Sequence, residues 1–193
     1  MAITINGDGS ITGLSVGGLP DGIVDADTLA TDSVTAAKLK SDAIADGDLP
    51  AGSILQVVSA NTNTEQNQGS TNYADTGLTC ALTPSSTSSK ILVLVAQVGY
   101  LSVDGTSERT AFVRLYRDIG ASGAEMVHRE YVAQGPTANY DYPLDISLQY
   151  LDSPNTTSEV SYRTQTKLSG TSADVATQKG ASYSNMTLLE IAG

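Results

Sequence analysis

From residue 53 onward, apolar side chains alternate with polar ones or cluster in short runs, and turn-forming residues divide one run from the next. The runs are SILQVVSA (53–60), GLTCALTP (77–84), SSKILVLVAQVGYLSV (88–103), RTAFVRLYRDI (109–119), MVHREYVA (126–133), LDISLQYL (144–151), EVSYRTQTKL (159–168) and MTLLEIAG (186–193). A period of two places successive side chains on opposite faces of a strand. The 88–103 run gives the strongest signal, with Ile91, Val93, Val95 and Val98 among small or apolar neighbours. Asp104-Gly105, Ser122-Gly123, Ser153-Pro154-Asn155 and Ser169-Gly170 supply the turns. About eight strands at this spacing, with no helical period of comparable strength, predict an antiparallel β-sandwich or jelly roll over residues 53–193.

The first fifty residues follow another pattern. Asp21-Gly22-Ile23 is followed by Leu29, Asp32-Ser33-Val34 by Leu39, and Asp42-Ala43-Ile44 by Leu49. A repeat this short cannot be a helical-hairpin solenoid, which needs about 33 residues or more per unit. Each unit offers two apolar side chains beside Asp cap or turn signals, and one unit alone has nothing to bury them against. Three chains side by side would place Ile23, Leu29, Val34, Leu39, Ile44 and Leu49 on a common axis, so residues 21–52 are expected to form a trimeric stalk, with a flexible acidic linker as the alternative. Ahead of it, Ile3, Ile5, Ile11 and Leu14 punctuate a segment with hairpin-turn dipeptides at Asn6-Gly7 and Asp8-Gly9. A hairpin that small is marginal alone in water. Residues 1–20 are therefore expected to gain order by docking on a partner.

Composition sharpens this division. Nine Tyr and one Phe make up the aromatics, there is no Trp, and the first aromatic residue is Tyr73. An aromatic-free segment of this length builds little core of its own. Ten basic residues stand against 21 acidic ones, a net charge of −11. Nucleic acid and anionic membrane surfaces need clustered Lys and Arg, so neither is an expected partner. No run approaches the roughly 18 apolar residues of a membrane span, and MAITINGDGSITG lacks the basic and apolar regions of a signal peptide. Cys80 stands alone in an alternating run, which predicts a buried small hydrophobe.

Candidate chemistry is sparse. His128 is the single histidine, so a triad or a multi-histidine metal site has too few parts. Asp25/Asp27 and Asp46-Gly47-Asp48 resemble fragments of calcium loops without a closing Glu, and they read more simply as caps and turns. No catalytic residue, cofactor or metal is expected. Tyr140 and Tyr142, with Tyr100, Tyr131 and Tyr183, suit either strand packing or a sugar-stacking contact surface.

The stalk motif GLPDGIVDADTLATDSVTAAKLKSDAIADGDLPAGSILQVVSA resembles the proximal segments of tail-fibre and related virion-fibre proteins of bacteriophages. The blocks TGLTCALTPSSTSSKILVLV, LYRDI, YLDSPNTTSEVSYRTQTKLSG and MTLLEIAG look like the C-terminal domain found in the same group. Together these motifs span most of residues 14–193. The resemblance implies a homotrimeric fibre of a virion. Its N-terminal end would attach to other virion proteins, and its jelly-roll head would be exposed, where a host-surface glycan or protein could be met. Three functions follow as expectations: a tail-associated fibre used in host adsorption, a capsid-decorating fibre or cement protein, and a carbohydrate-binding module.

Overall fold

The computed structural model describes residues 48–135 and 140–193, together with Thr4, Ile5, Gly7, Ile11, Thr12, Thr31, Val34 and Thr35. The chain divides into two units, Met1–Ile44 and Ala45–Gly193.

In the first unit, β1 (Thr4–Ile5) pairs antiparallel with β2 (Ile11–Thr12), with Thr4 opposite Thr12 and Ile5 opposite Ile11. Gly7, between the two strands, lies in a turn. Ile3, Leu14, Ile23, Leu29, Leu39 and Ile44 lie outside the described residues. Val34 is exposed in the single chain.

The second unit holds ten strands among its described residues: β3 (Ile54–Thr62), β4 (Gln66–Gln68), β5 (Ala74–Leu82), β6 (Lys90–Val103), β7 (Glu108–Ile119), β8 (Ser122–Gln134), β9 (Tyr140–Asp152), β10 (Val160–Leu168), β11 (Ala173–Thr177) and β12 (Ser184–Ile191). They form two antiparallel sheets. One runs β5-β10-β7-β8; the other runs β3-β12-β6, with β9 on the far side of β6. If the eight long strands are numbered along the chain, the sheets read 1-8-3-6 and 2-7-4-5. That is the strand order of a jelly roll, two interlocked Greek keys. Long β6 explains the two extra strands. β12 covers its first half, from Lys90 to Ala96, and β11 covers Gly99 to Val103 on the same side. The short β4 then pairs with β11.

Alternation decides which side chains meet between the sheets. Ile91, Val93, Val95, Leu101 and Val103 of β6 point inward with Leu144, Ile146 and Leu148 of β9 and Met186 and Leu188 of β12. From the other sheet come Leu78, Cys80, Leu82, Ala111, Val113, Leu115, Val160, Tyr162 and Leu168. Each aliphatic side chain fully buried there contributes about 1.5–3 kcal/mol. Cys80 is buried, as the alternation predicts, and desolvation raises its thiol pKa.

One expected turn is displaced. Ser122-Gly123 opens β8, and the reversal from β7 uses Gly120-Ala121, since Ile119 pairs with Ser122. Gly120 takes a φ of 58°, which favours glycine at that first turn position.

Polar groups close the sandwich at its sides and ends. Tyr131 Oη donates to the Asp145 carbonyl at 3.0 Å, and Tyr142 Oη donates to the Gln134 carbonyl, tying β9 to β8. On the opposite side, Gln56 of β3 donates to the Thr83 carbonyl just past β5 at 2.8 Å. Deeper, the Asp152 carboxylate accepts from Arg117 Nη1 at 2.8 and 2.9 Å and from Tyr162 Oη at 2.6 Å, joining β9 to β7 and β10. Burial first, and then the Asp152 carboxylate, push the Tyr162 hydroxyl far above its ordinary pKa.

Glu190 is buried on β12. It accepts from Gln56 Nε2 at 2.5 Å, from the Ser85 amide at 2.7 Å and from Ser85 Oγ at 2.8 Å. Burial alone would raise its pKa, but hydrogen bonding to the charged form prevails and holds it below the ordinary 4.5. A carboxyl with a lower pKa in the folded than in the unfolded chain stabilises the fold above its unfolded pKa. That contribution is lost as pH falls through the folded pKa. Stability measured by urea denaturation should therefore decline as pH drops below about 4.5. Glu190→Gln should flatten that decline and cost about 1–3 kcal/mol at pH 7. An unchanged acid slope in the variant would show that Glu190 does not carry the effect.

Candidate functional surfaces

The two faces of the sandwich that point away from the core differ sharply in chemistry. On β5-β10-β7-β8, the outward positions of β7 are Phe112, Arg114 and Tyr116, beside Arg163 and Lys167 of β10. The Arg114 guanidinium lies 3.8 Å from the Tyr73 ring centroid and 4.6 Å from that of Tyr116. Arg163 sits 5.1 Å from Tyr116, while Lys167 sits 4.7 Å from Tyr73 and 5.0 Å from Phe112. Carboxylates complete the array: Glu125 pairs with Arg114 at 3.2 Å, and Asp75 and Asp118 pair with Arg163 at 3.1 and 2.8 Å. Gly123 leaves the room that Tyr116 occupies, since a Cβ there would lie 2.3 Å from the tyrosine oxygen. Cations already cover these rings, at roughly 0.5–1 kcal/mol per exposed contact. The face is thus a self-satisfied ladder of charge and aromatics. His128 stands on its margin, exposed and 3.1 Å from Glu125.

The outer face of β3-β12-β6-β9 has the opposite character. Register places Val57, Leu189, Leu92 and Leu151 in one continuous row across all four strands. Ile54 and Ile191 pair beside that row on one flank, and Leu94 lies on the other. Val57 is 59% exposed, Ile54 57% and Leu151 51%.

Beyond β9's first residues lies a polar cleft of about 480 Å³ lined by Gly69, Ser102, Asp104, Asp141, Ser172 and Asp174. Asp141 is engaged by Lys179 and by Ser102 Oγ. Those hydrogen bonds, led by Lys179, lower its pKa.

The expected tyrosine surface is only partly assembled. The rings of Tyr140 and Tyr142 pack in a tilted arrangement, centroids 4.7 Å apart at 55°, and this is the one ring–ring pair among the described residues. Tyr140 is half exposed, whereas Tyr142 leans on the core and spends its hydroxyl on β8. Tyr131 is likewise committed to β9. Tyr100 lies 5.2 Å from the Lys179 ammonium, and Tyr183 projects into solvent at 70% exposure. Of the expected stalk positions, Leu49 lies in the second unit, exposed, just ahead of β3. The cation–aromatic ladder was visible in sequence only as Phe112, Arg114 and Tyr116 alternating with Ala111, Val113 and Leu115. Its partners Tyr73, Arg163 and Lys167 arrive from other strands. The apolar row depends wholly on register, which a single run does not disclose.

No family model matches the chain, and no curated protein matches it. Among solved structures, it is similar to the infectious bursal disease virus VP2 subviral particle, at 13% identity and a TM-score of 0.36. A T13 particle of the same virus gives 11% identity and a TM-score of 0.33. Each likeness covers 73% of this chain, which spans 34% and 37% of those chains. Likeness this distant carries no functional assignment.

Proposed function

We propose that the chain is a structural protein of a bacteriophage virion, a short homotrimeric fibre. Its N-terminal segment joins other virion proteins and its jelly-roll head faces outward, in a tail-associated position used for host adsorption. The observation that carries this reading is the pairing of two unlike parts. The sequence of residues 21–52 repeats Ile or Val and then Leu without any aromatic residue, a spacing expected to need burial from neighbouring copies, and the Ala45–Gly193 unit is a sandwich with its own core. The resemblance of both parts to virion-fibre motifs points the same way. A jelly roll by itself decides little, because the same architecture serves capsids, lectins and enzymes.

The test is localisation. Intact particles carrying this protein should bind a head-directed antibody at the tail when imaged by electron microscopy. Label distributed over the capsid would instead favour the decorating fibre. Label absent from particles, with the protein free in the lysate, would leave the carbohydrate-binding module.

A further inference from the structure

The outer face of β3-β12-β6-β9 is where a soluble acidic domain would be expected to place charge. Across the rows from Ile54 to Asn61, Asn185 to Ile191, Lys90 to Val98 and Asp145 to Leu151, the outward side chains include one cation, Lys90, and one anion, Asp145. Both stand at the margins; between them lies the Val57–Leu189–Leu92–Leu151 row with Ile54, Ile191 and Leu94, beside the uncharged polar side chains of Ser59, Thr187 and Gln149. An apolar patch of this kind is often a contact surface.

Resting on the homotrimer reading, we infer that this face is the contact between heads of neighbouring copies of this chain. Charge is the first argument. At −11 per chain, two copies repel wherever carboxylates face each other. The apolar row is a part of the surface where two identical acidic chains meet without opposing carboxylates. Continuity is the second. Exposed Leu49 precedes Ile54, the first residue of edge strand β3, so the chain bearing the repeat joins the head at a corner of this same face. Just ahead of β3, Gly52 N donates to the Ala192 carbonyl and Ala192 N to the Ser53 carbonyl, each at 2.8 Å. Area is the third. Four strands about 4.8 Å apart and three rows about 7 Å apart enclose on the order of 400 Å². A stable pairwise interface takes roughly 800 Å² per partner. The face alone is short of a stable dimer, which fits heads held together by a contact continued elsewhere along the chain.

Full-length variants Val57→Cys and Leu151→Cys are compared with Thr157→Cys, which lies in the exposed loop before β10. Each is labelled with a maleimide and read peptide by peptide by mass spectrometry, and its assembly state is measured by sedimentation at the same concentration. Buried Cys80 serves as the internal blank. The expected result is a three-chain species in which Val57→Cys and Leu151→Cys label at least tenfold more slowly than Thr157→Cys. A three-chain species with equal labelling rates overturns the face assignment and leaves the trimer standing. A monomer with equal rates overturns both. A monomer with both positions protected shows that the chain covers the face itself, and also overturns the contact between copies.

Discussion

Asp152→Ala is expected to lower the melting temperature of the protein by about 6–12 °C, followed by circular dichroism. The substitution strands two partners at once. The Arg117 guanidinium loses its carboxylate, and the Tyr162 hydroxyl, fully buried, loses its acceptor. Breaking one half of a buried ion pair costs about 3–5 kcal/mol, and Arg117 keeps some access to solvent, so about 3 kcal/mol is the appropriate figure. For a chain of this size each kcal/mol moves the midpoint by about 2–4 °C. Tyr162→Phe removes one hydrogen bond and leaves the ion pair, so it should cost only about 1 kcal/mol. A shift below 2 °C for Asp152→Ala would mean that the cluster does not hold β9 against β7 and β10.

The sandwich was legible because its strands are amphipathic in the simplest way. Every run named from sequence overlaps a strand; Ile91, Val93 and Val95 face the core, whereas Val98, grouped with them in the sequence, has the opposite parity and is exposed. β4 and β11 were not legible, for different reasons. Gln66–Gln68 contains no apolar residue at all. Ala173–Thr177 is buried because it continues the line of β12 beside an over-long β6, a circumstance set by a strand seventy residues away. Gln97 was equally opaque. A glutamine at an inward position breaks the pattern, and its burial depends on Thr76, which accepts from its Nε2 at 2.8 Å across the sandwich. The outward surfaces were the least visible. Alternation tells which side chains leave the core, but not which of them become neighbours.

Deleting residues 1–20 is expected to abolish incorporation into particles while leaving the head's thermal transition intact. Among the described residues, the fully buried side chains of the Ala45–Gly193 unit all lie in β5 or later, so its core is expected to survive the truncation. What it removes is the segment of Ile3, Ile5, Ile11 and Leu14, whose short β1–β2 ladder is too small to persist without support. Quantitative mass spectrometry of purified particles gives the copy number directly. Truncated protein at wild-type copy number would reverse the assigned orientation.

The position of β12 has a consequence for how such a protein is made. That strand is wedged between β3 and β6, and its Glu190 bonds to Gln56 across a separation of 134 residues. Neither sheet can be completed from local hairpins, and pairings of such long range form slowly. A ribosome-bound chain whose synthesis has not reached Ser184 holds β3 and β6 with an open lane between them. Both are strands whose unpaired edges would recruit one another in a neighbouring nascent chain. Closure of the head therefore waits for the synthesis of β12, and copies should associate only after each has drawn that strand into place.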